Sequence, residues 1–223
     1  MFKLLRQRGS RCALLVLSLV ATSGFAAGED YATLKSRLEA GDTHIDFRAL
    51  RLAYADSPAY APNQSSALSN RRAVEQAFEA GQFSAAVPLL QKWLAEDYLN
   101  PFAHLGAVRA YEKTGDTARA QFHDAVVLGL FNSICARDEG RSENRPCPVV
   151  SIDEEHFFLV MNGFRIDAQH GALCEGDRPC NVYDVINRKT QAAVTVYLDI
   201  SRPLHYLDTH PAPAASASPP APP

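Results

Sequence analysis

Two hydrophobic periods divide the chain. Over residues 30–134 apolar positions recur at helical spacing, as Tyr31, Leu34 and Leu38 show first. Over residues 148–201 they alternate with polar positions in the two-residue period of strands. The alternation indicates a sheet with one covered face, and the preceding helices are its natural cover. The change of period therefore predicts an α+β fold, in which helical hairpins are followed by a small antiparallel β-sheet.

The helical part contains an internal repeat. Gly81 and Gly115 lie 34 residues apart, which is the repeat length of the tetratricopeptide helical hairpin. In this register Ala86 aligns with Ala120, a small residue where paired helices approach closely. Helices are predicted on both sides of each glycine, over residues 71–80, 83–96, 101–113 and 117–130. Two such hairpins do not stand alone, so other elements must cover their open faces.

The β-rich part is predicted to contain a hairpin. Asn162-Gly163 tolerates the positive φ angles of a type I′ turn, and it stands between the predicted strands 156–161 and 164–168. The acidic run from Asp153 to His156 is predicted to be a solvated turn, and a metal or acid–base cluster is the alternative. Further strands are predicted over residues 148–151, 181–186 and 192–200.

Both ends of the chain have the composition of segments outside a folded domain. Residues 1–26 combine a basic start, an apolar middle at 13–20 and small residues at Gly24 and Ala26, as in a secretory signal peptide cut after Ala26. Residues 207–223 are rich in proline and alanine and are predicted to be a disordered tail. The sequence thus predicts a periplasmic or secreted protein with a single α+β domain over residues 27–206.

Charge and hydropathy exclude two classes of partner. The chain has 22 Lys and Arg residues against 25 Asp and Glu residues, a net charge of −3. Removal of the signal peptide takes away four basic residues and no acidic one, which leaves −7. An acidic chain lacks the basic face that nucleic-acid binding needs. No run of eighteen apolar residues follows the signal peptide, so no membrane span is predicted in the mature chain.

Export also changes the cysteine count. Cys12 leaves with the signal peptide, and an even number of four remains, which favours disulfides in an exported chain. In each half of this set the later cysteine follows the dipeptide Arg-Pro in a turn-rich polar segment. The sequence therefore predicts two short loops, closed by the pairs Cys135–Cys147 and Cys174–Cys180. The alternative is a zinc site made of all four thiolates, although neither pair has the spacing of a zinc knuckle.

A binding surface is predicted on the helical hairpins. The first helix of each tetratricopeptide unit normally lines the concave face. Here that face would present mixed charges with two aromatic rings, which suits a peptide segment. The residues are Arg71, Glu75 and Phe78 in the first hairpin and Phe102, Leu105, Arg109 and Glu112 in the second. The alternative is that the β-rich part covers this face and makes these residues structural.

Two histidines offer a different chemistry. His104 and His123 fall on facing helices of the second predicted hairpin, and histidine is the usual acid–base group near neutral pH. However, the chain contains no Gly-x-Ser-x-Gly, no His-Glu-x-x-His and no phosphate-binding glycine loop. No catalytic residue, cofactor or metal site is therefore predicted. A hydrolase or small-ligand enzyme that uses the two histidines is kept as the alternative.

Several strings together resemble an uncharacterised bacterial family, the domain of unknown function 4919. They run from near Tyr31 to near Tyr206 and are specific only as a set. The strings are 46–54, 98–104, 115–123, 129–134 and 149–155. The resemblance implies an exported protein with tetratricopeptide-like helices followed by strands, and it implies no activity. The two cysteine loops and the proline-rich tail depart from the family pattern.

Taken together, these patterns predict a non-enzymatic interaction module that binds an unidentified envelope protein or peptide through the helical face. A third possibility is a structural envelope protein whose tail acts as a spacer.

Overall fold

The computed structural model describes residues 29–62 and 65–211. The predicted signal peptide and residues 212–223 of the predicted tail lie outside the described residues. Within these residues the chain has an α+β fold, with helices in the first two thirds and a four-stranded sheet near the end. The change of hydrophobic period therefore predicted the fold class correctly.

Six helices precede the sheet. Consecutive helices from the third to the sixth contact one another, as expected for helical hairpins. The third helix begins six residues earlier than predicted and the sixth ends four residues later. In chain order they are α1 (Tyr31–Glu39), α2 (Phe47–Ala55), α3 (Ser65–Glu79), α4 (Phe83–Glu96), α5 (Pro101–Thr114) and α6 (Thr117–Ile134).

Short turns with glycine join the helices of each hairpin. Gly81 has φ of 69° and Gly115 has φ of 83°, a left-handed conformation that glycine adopts without the Cβ clash of other residues. At the start of α5, the Asn100 side chain accepts hydrogen bonds from the next backbone N–H groups, and Pro101 occupies the first helical position. These local signals fix where α5 begins and ends.

The sheet is mixed rather than purely antiparallel. Its strands are β1 (Cys147–Pro148), β2 (Phe164–Cys174), β3 (Arg178–Asn187) and β4 (Ala193–Asp199). Their order in the sheet is β1-β4-β3-β2, and the last three of this order are antiparallel neighbours. The short first strand runs parallel to the fourth, which corrects the predicted antiparallel sheet.

Residues 156–161, predicted as a strand, belong to a helix, α7 (Ile152–Met161). Ser151 is its N-cap, and the serine side chain accepts a hydrogen bond from the N–H of Glu154. The first turn of α7 carries three acidic residues, which interact favourably with the positive end of the helix dipole. The strand prediction was wrong because these capping interactions favour a helix whose apolar second half shows no clear period.

The predicted hairpin turn has a different role. Asn162 is the C-cap of α7, and Gly163 has φ of 66° directly after it, so this pair ends a helix. Two hairpins in the sheet are instead formed by β2 with β3, which pair from Phe164↔Asn187 to Cys174↔Arg178, and by β3 with β4. A dipeptide that tolerates positive φ thus marks a chain reversal but does not identify the elements beside it.

A last helix, α8 (Ser201–Thr209), follows the sheet. Residues 207–209, which were predicted to begin the disordered tail, are therefore helical. Within the described part of the chain, no helix is both long enough and apolar enough to cross a membrane.

One of the hydrophobic core clusters lies between the sheet and the helices α6 and α7. Phe157 and Leu159 of α7 are buried against Val127 and Ile134 of α6. From the sheet, the same cluster receives Tyr183, Val185, Val196 and Leu198. The prediction that helices cover one face of the sheet is therefore confirmed, with α7 added as a cover.

An ion pair is buried where α2, α6, β1 and α7 meet. Arg51 is fully buried and donates from Nε and Nη2 to the two carboxylate oxygens of Glu154, each at 2.6 Å. Its remaining donors reach the carbonyl oxygens of Ser133 and Pro148, at 2.7 and 2.9 Å. Glu154 also accepts from the N–H of Val150. Arg51 thereby fixes the relative positions of four elements through one side chain.

Both predicted disulfides are formed. Cys135–Cys147 joins the end of α6 to β1, and Cys174–Cys180 joins β2 to β3 near the tip of their hairpin. Because all four sulfurs are in disulfide bonds, none is a thiolate ligand, and the zinc alternative does not hold.

Candidate functional site

The predicted helical face is divided by α7. Arg71 forms an ion pair with Asp153 at 3.0 Å, and its guanidinium lies 4.6 Å from the ring centre of Phe102. Phe102 in turn makes an edge contact with Phe157 of α7, with ring centres 5.6 Å apart. Arg71 and Phe102 therefore contribute to the junction between the hairpins and α7, as the structural alternative predicted.

The other end of the same face is open. The Arg109 guanidinium lies 4.9 Å from the ring centre of Phe78 and 5.7 Å from that of Phe83. The Lys113 ammonium lies 6.0 Å from Phe83. We call these four residues the cation–aromatic patch. Three further residues of the predicted surface are also exposed, namely Glu75, Leu105 and Glu112.

The two histidines are in direct contact. The Nδ1 atoms of His104 and His123 lie 2.9 Å apart, and Nε2 of His104 lies 2.8 Å from the carbonyl oxygen of Tyr98. Because a carbonyl only accepts, we assign the proton of His104 to Nε2. Its Nδ1 then accepts from Nδ1–H of His123, which leaves the lone pair of His123 on Nε2.

Burial keeps both imidazoles neutral. Burial lowers the pKa of His104 to about 3, and the neighbouring His123 adds to this effect. The pKa of His123 is lowered to about 4, mainly by burial and to a smaller extent by the positive charge of Arg119. His104 is fully buried, and the ring of Tyr111 stacks on His123. This geometry is that of a neutral hydrogen-bonded pair in aromatic surroundings.

The acidic run at the start of α7 is mostly buried rather than solvated. Glu154 holds Arg51, and Glu155 accepts hydrogen bonds from Asn181 and Tyr183, both at 2.8 Å. Burial raises the pKa of Glu155, and these two hydrogen bonds oppose the rise. The run therefore anchors α7 to α2 and to the sheet, which corrects the predicted solvated turn.

A partly buried carboxylate, that of Asp97, lies in the turn between α4 and α5. Burial raises the pKa of Asp97 to about 6, and the charges of Asp153 and Glu154 add to the rise. The side-chain amide of Asn100 donates to Asp97 at 3.0 Å and to Asp153 at 2.7 Å. Asn100 therefore bridges two carboxylates that would otherwise repel each other.

Two crevices open beside the sheet and the last helix. One of about 900 Å³ lies between residues 135–141 and β4. The other, of about 670 Å³, lies between residues 55–61 and α8. In the second crevice the Nε atom of Arg202 lies 3.5 Å from the carboxylate of Asp56. Among the described residues, no three His, Cys, Asp or Glu side chains are grouped so as to hold a metal ion.

No protein-family profile, curated protein or solved structure matches the chain. Membership of the domain of unknown function 4919 and the tetratricopeptide assignment of α3–α6 therefore stay predictions. The candidate sites are distinguished by their geometry alone.

The sequence identified part of the cation–aromatic patch and both members of the histidine pair. Arg109 and Phe78 were predicted to share a face, whereas Phe83 and Lys113 were not included. Their signal was the helical spacing of Arg109 and Lys113, four residues apart, opposite an aromatic residue that follows a glycine turn. The crevice beside β4 had no sequence signal, because it depends on how far β1 extends along β4.

Proposed function

We propose that the chain is a non-enzymatic interaction module that binds a peptide segment of an envelope protein through the cation–aromatic patch. Two disulfides support an oxidising compartment, since such bonds are rare in the cytosol. This agrees with the predicted signal peptide and with a periplasmic or secreted location.

One observation carries the proposal. The guanidinium of Arg109 lies over two phenylalanine rings and makes no ion pair with any described residue. Arginine and aromatic side chains are enriched among the residues that dominate binding energy at protein interfaces. A preformed guanidinium over an apolar surface binds a carboxylate with less loss of side-chain freedom than a mobile one.

The patch favours a peptide with a carboxylate next to an apolar side chain. The carboxylate would pair with Arg109 or Lys113, and the apolar group would cover Phe78 and Phe83. Glu75 and Glu112 lie on the same face and would disfavour a strongly acidic ligand. A short segment with one or two acidic residues therefore suits the patch.

The test is in-cell crosslinking of the exported protein, followed by affinity capture and mass spectrometry. We expect one stoichiometric envelope partner, lost in both Arg109→Glu and Phe78→Ala with an unchanged circular dichroism spectrum. Arg72→Glu is the matched control, because Arg72 is exposed on α3, the helix that carries Phe78, and lies outside the patch. Equal capture by the wild type and Arg109→Glu would overturn the assignment of this surface.

A hydrolase that uses His104 and His123 is the second proposal, and the 2.9 Å contact between them favours it. Its base would be Nε2 of His123, because both nitrogens of His104 are engaged. Turnover of small chromogenic esters that disappears in His123→Gln would support this function. Equal turnover in that variant would exclude the pair as catalytic. The burial of His104 instead supports a structural role for the pair.

A further inference from the structure

The edge of β4 that faces β1 is only partly paired. Strand β3 pairs with β4 along its whole length, from Cys180↔Asp199 to Ile186↔Ala193. On the other side, β1 pairs only with Leu198 and Asp199. On the same edge, the N–H of Tyr197 donates to the carbonyl oxygen of Gly140 at 2.9 Å.

Two residues of β4 therefore have backbone groups that no described residue pairs. Alternate residues of a strand direct their N–H and C=O groups to the same edge. Thr195 and Ala193 thus face the same side as Tyr197, where the described residues offer them no backbone partner. An edge with unpaired N–H and C=O groups is a template on which another strand can add.

The larger crevice follows this open edge. Residues 135–141 form one wall, and β4 from Val194 to Tyr197 forms the other. Phe158 and Phe164 line the same space and are partly exposed, as is Val194 at 37 %. Its volume of about 900 Å³ is within the range of ligand sites. The crevice thus combines backbone donors and acceptors with apolar side chains.

The rim of the crevice has an excess of positive charge. Arg137 and Arg141 line it and make no ion pair with the described residues. Glu139 is already engaged, since both its carboxylate oxygens accept from Arg48 at 3.0 Å. Asp138 is the remaining acidic residue of this wall. Two arginines that no described acidic residue pairs, against one aspartate, favour a ligand that carries a carboxylate.

We propose that this crevice binds an extended peptide segment of a partner protein, which adds to the sheet as a strand along β4 at Ala193–Tyr197. The peptide backbone would pair with Ala193 and Thr195. One apolar side chain would contact Phe158 and Phe164, and an acidic side chain would reach Arg137 or Arg141. Strand addition of this kind takes its affinity from main-chain hydrogen bonds and its selectivity from alternate side chains.

The outer edge of the sheet is less suited to strand addition. Among the described residues, strand β2 also has one edge without a partner strand, but its register shifts between Ile166 and Ala168. Asp167 lies at that irregularity and forms an exposed ion pair with Arg165. A bulge and charges on an edge strand are common features that prevent strand addition. The edge of β4 has no register shift in its pairing with β3.

The test is a selection of random ten-residue peptides displayed on phage, against the purified chain with both disulfides formed. Peptides that also bind Ala193→Pro are removed. Proline lacks the N–H that Ala193 directs to the open edge of β4, and it is tolerated as the first residue of a strand, so pairing with β3 is kept. We expect enriched peptides without proline, with apolar residues at alternate positions and at least one acidic residue.

An enriched peptide is then measured by calorimetry. We expect at least tenfold weaker binding to Arg137→Glu/Arg141→Glu, and also for the same peptide with alternate backbone nitrogens methylated. Arg188→Glu is the control for charge, because Arg188 is exposed and does not line the crevice. On titration, the amide signals of Ala193 and Thr195 should shift in the wild type, which tests the site even where a variant folds poorly.

Two results would overturn the proposal: no peptide distinguishes the wild type from Ala193→Pro, or the methylated peptide binds as tightly as its parent. The cation–aromatic patch is tested separately, because Arg109→Glu leaves the crevice unchanged. Failure of one binding site therefore does not imply failure of the other.

Discussion

At the scale of single residues, burial decides what a charge does in this protein. Arg51 is fully buried, and each of its donor nitrogens has an acceptor. Arg37 is an exposed counterpart, with ion pairs to Glu29 and Asp42 at the surface. Water screens an exposed pair and replaces a lost partner, whereas a buried carboxylate that loses its partner stays unsolvated.

We expect Arg51→Ala to lower the free energy of unfolding by about 3–5 kcal/mol, because it leaves Glu154 buried without its counter-ion. Urea denaturation followed by circular dichroism measures the change. Arg37→Ala is the control and should have a much smaller effect. Arg51→Met/Glu154→Leu should recover part of the loss, since the double variant leaves no buried charge. Equal losses in Arg51→Ala and Arg37→Ala would contradict the role of Arg51.

The histidine pair predicts loss of stability in acid. The folded-state pKa values, about 3 for His104 and about 4 for His123, lie below the usual value of about 6.5. Below that pH these two histidines therefore bind more protons in the unfolded chain than in the folded chain. The contribution of the pair is complete above about pH 6.5 and is lost as the pH falls toward the folded-state values. Each histidine changes the free energy of unfolding by at most about 1.4 kcal/mol per pH unit.

Urea denaturation between pH 7.5 and pH 5 measures this dependence. His104→Asn/His123→Asn should give a shallower loss of stability on acidification than the wild type. Asp97→Asn should give a steeper loss, because the raised pKa of Asp97, about 6, stabilises the folded state as the pH falls. If both variants keep the wild-type slope, the two histidines and Asp97 are not linked to folding in this way.

At the scale of elements, α7 connects the helical hairpins to the sheet. Its Asp153 pairs with Arg71 of α3, its Glu154 with Arg51 of α2, and its Phe157 with Phe102 of α5. Its side facing the sheet carries Glu155, which accepts from Tyr183 of β3. The N-terminal cap of α7 therefore controls contacts to four other elements.

We expect Ser151→Ala to destabilise the protein by about 1 kcal/mol, because the N–H of Glu154 loses its acceptor at the start of α7. Ser151→Gly should cost only a few tenths of a kcal/mol. Ser84→Ala is the matched control: Ser84 is exposed near the start of α4, where alanine is at least as favourable. The measurement is the urea midpoint of each variant. Equal midpoints for the wild type and Ser151→Ala would contradict the capping role.

The error at α7 shows what hydrophobic period can and cannot predict. Helices α1, α2, α4 and α5 each have an apolar face and a polar face, so the spacing of their apolar residues identified them. In α7 apolar residues fill every side of the second half, and a short run of this kind is compatible with a buried strand or a buried helix. The deciding signal was the capping pattern Ser151-x-x-Glu154, in which the Ser151 side chain accepts from the N–H of Glu154 and the Glu154 side chain accepts from the N–H of Val150.

The candidate sites likewise contain contacts that local spacing predicts and contacts that it does not predict. The contact between His104 and His123 was predictable, because both lie on helices joined by one glycine turn. The contact of Arg71 with Asp153 was not predictable, because these two residues lie 82 positions apart in the chain. Nor was the open edge of β4, which depends on the pairing of two residues of β1. Contacts between distant segments depend on tertiary packing, which local period does not encode.

At the scale of the whole molecule, the two disulfides act at different places. Cys135–Cys147 closes the loop that forms a wall of the crevice beside β4, and Gly140 in that loop pairs with Tyr197. Cys174–Cys180 closes the far end of the β2–β3 hairpin. By the loop-entropy model the two bonds contribute similar stability, about 2–3 kcal/mol each. Their effects on binding should therefore differ much more than their effects on stability.

We expect Cys135→Ala/Cys147→Ala and Cys174→Ala/Cys180→Ala each to lower the free energy of unfolding by about 2–3 kcal/mol. In the first variant, the amides of residues 136–141 should exchange with deuterium faster and the enriched peptide should bind at least tenfold more weakly, because the wall of the crevice is no longer held to β1. The second variant is the control for lost stability and should keep both properties. Equal exchange over residues 136–141 in the two variants would show that β4 and Gly140 alone hold this wall in place.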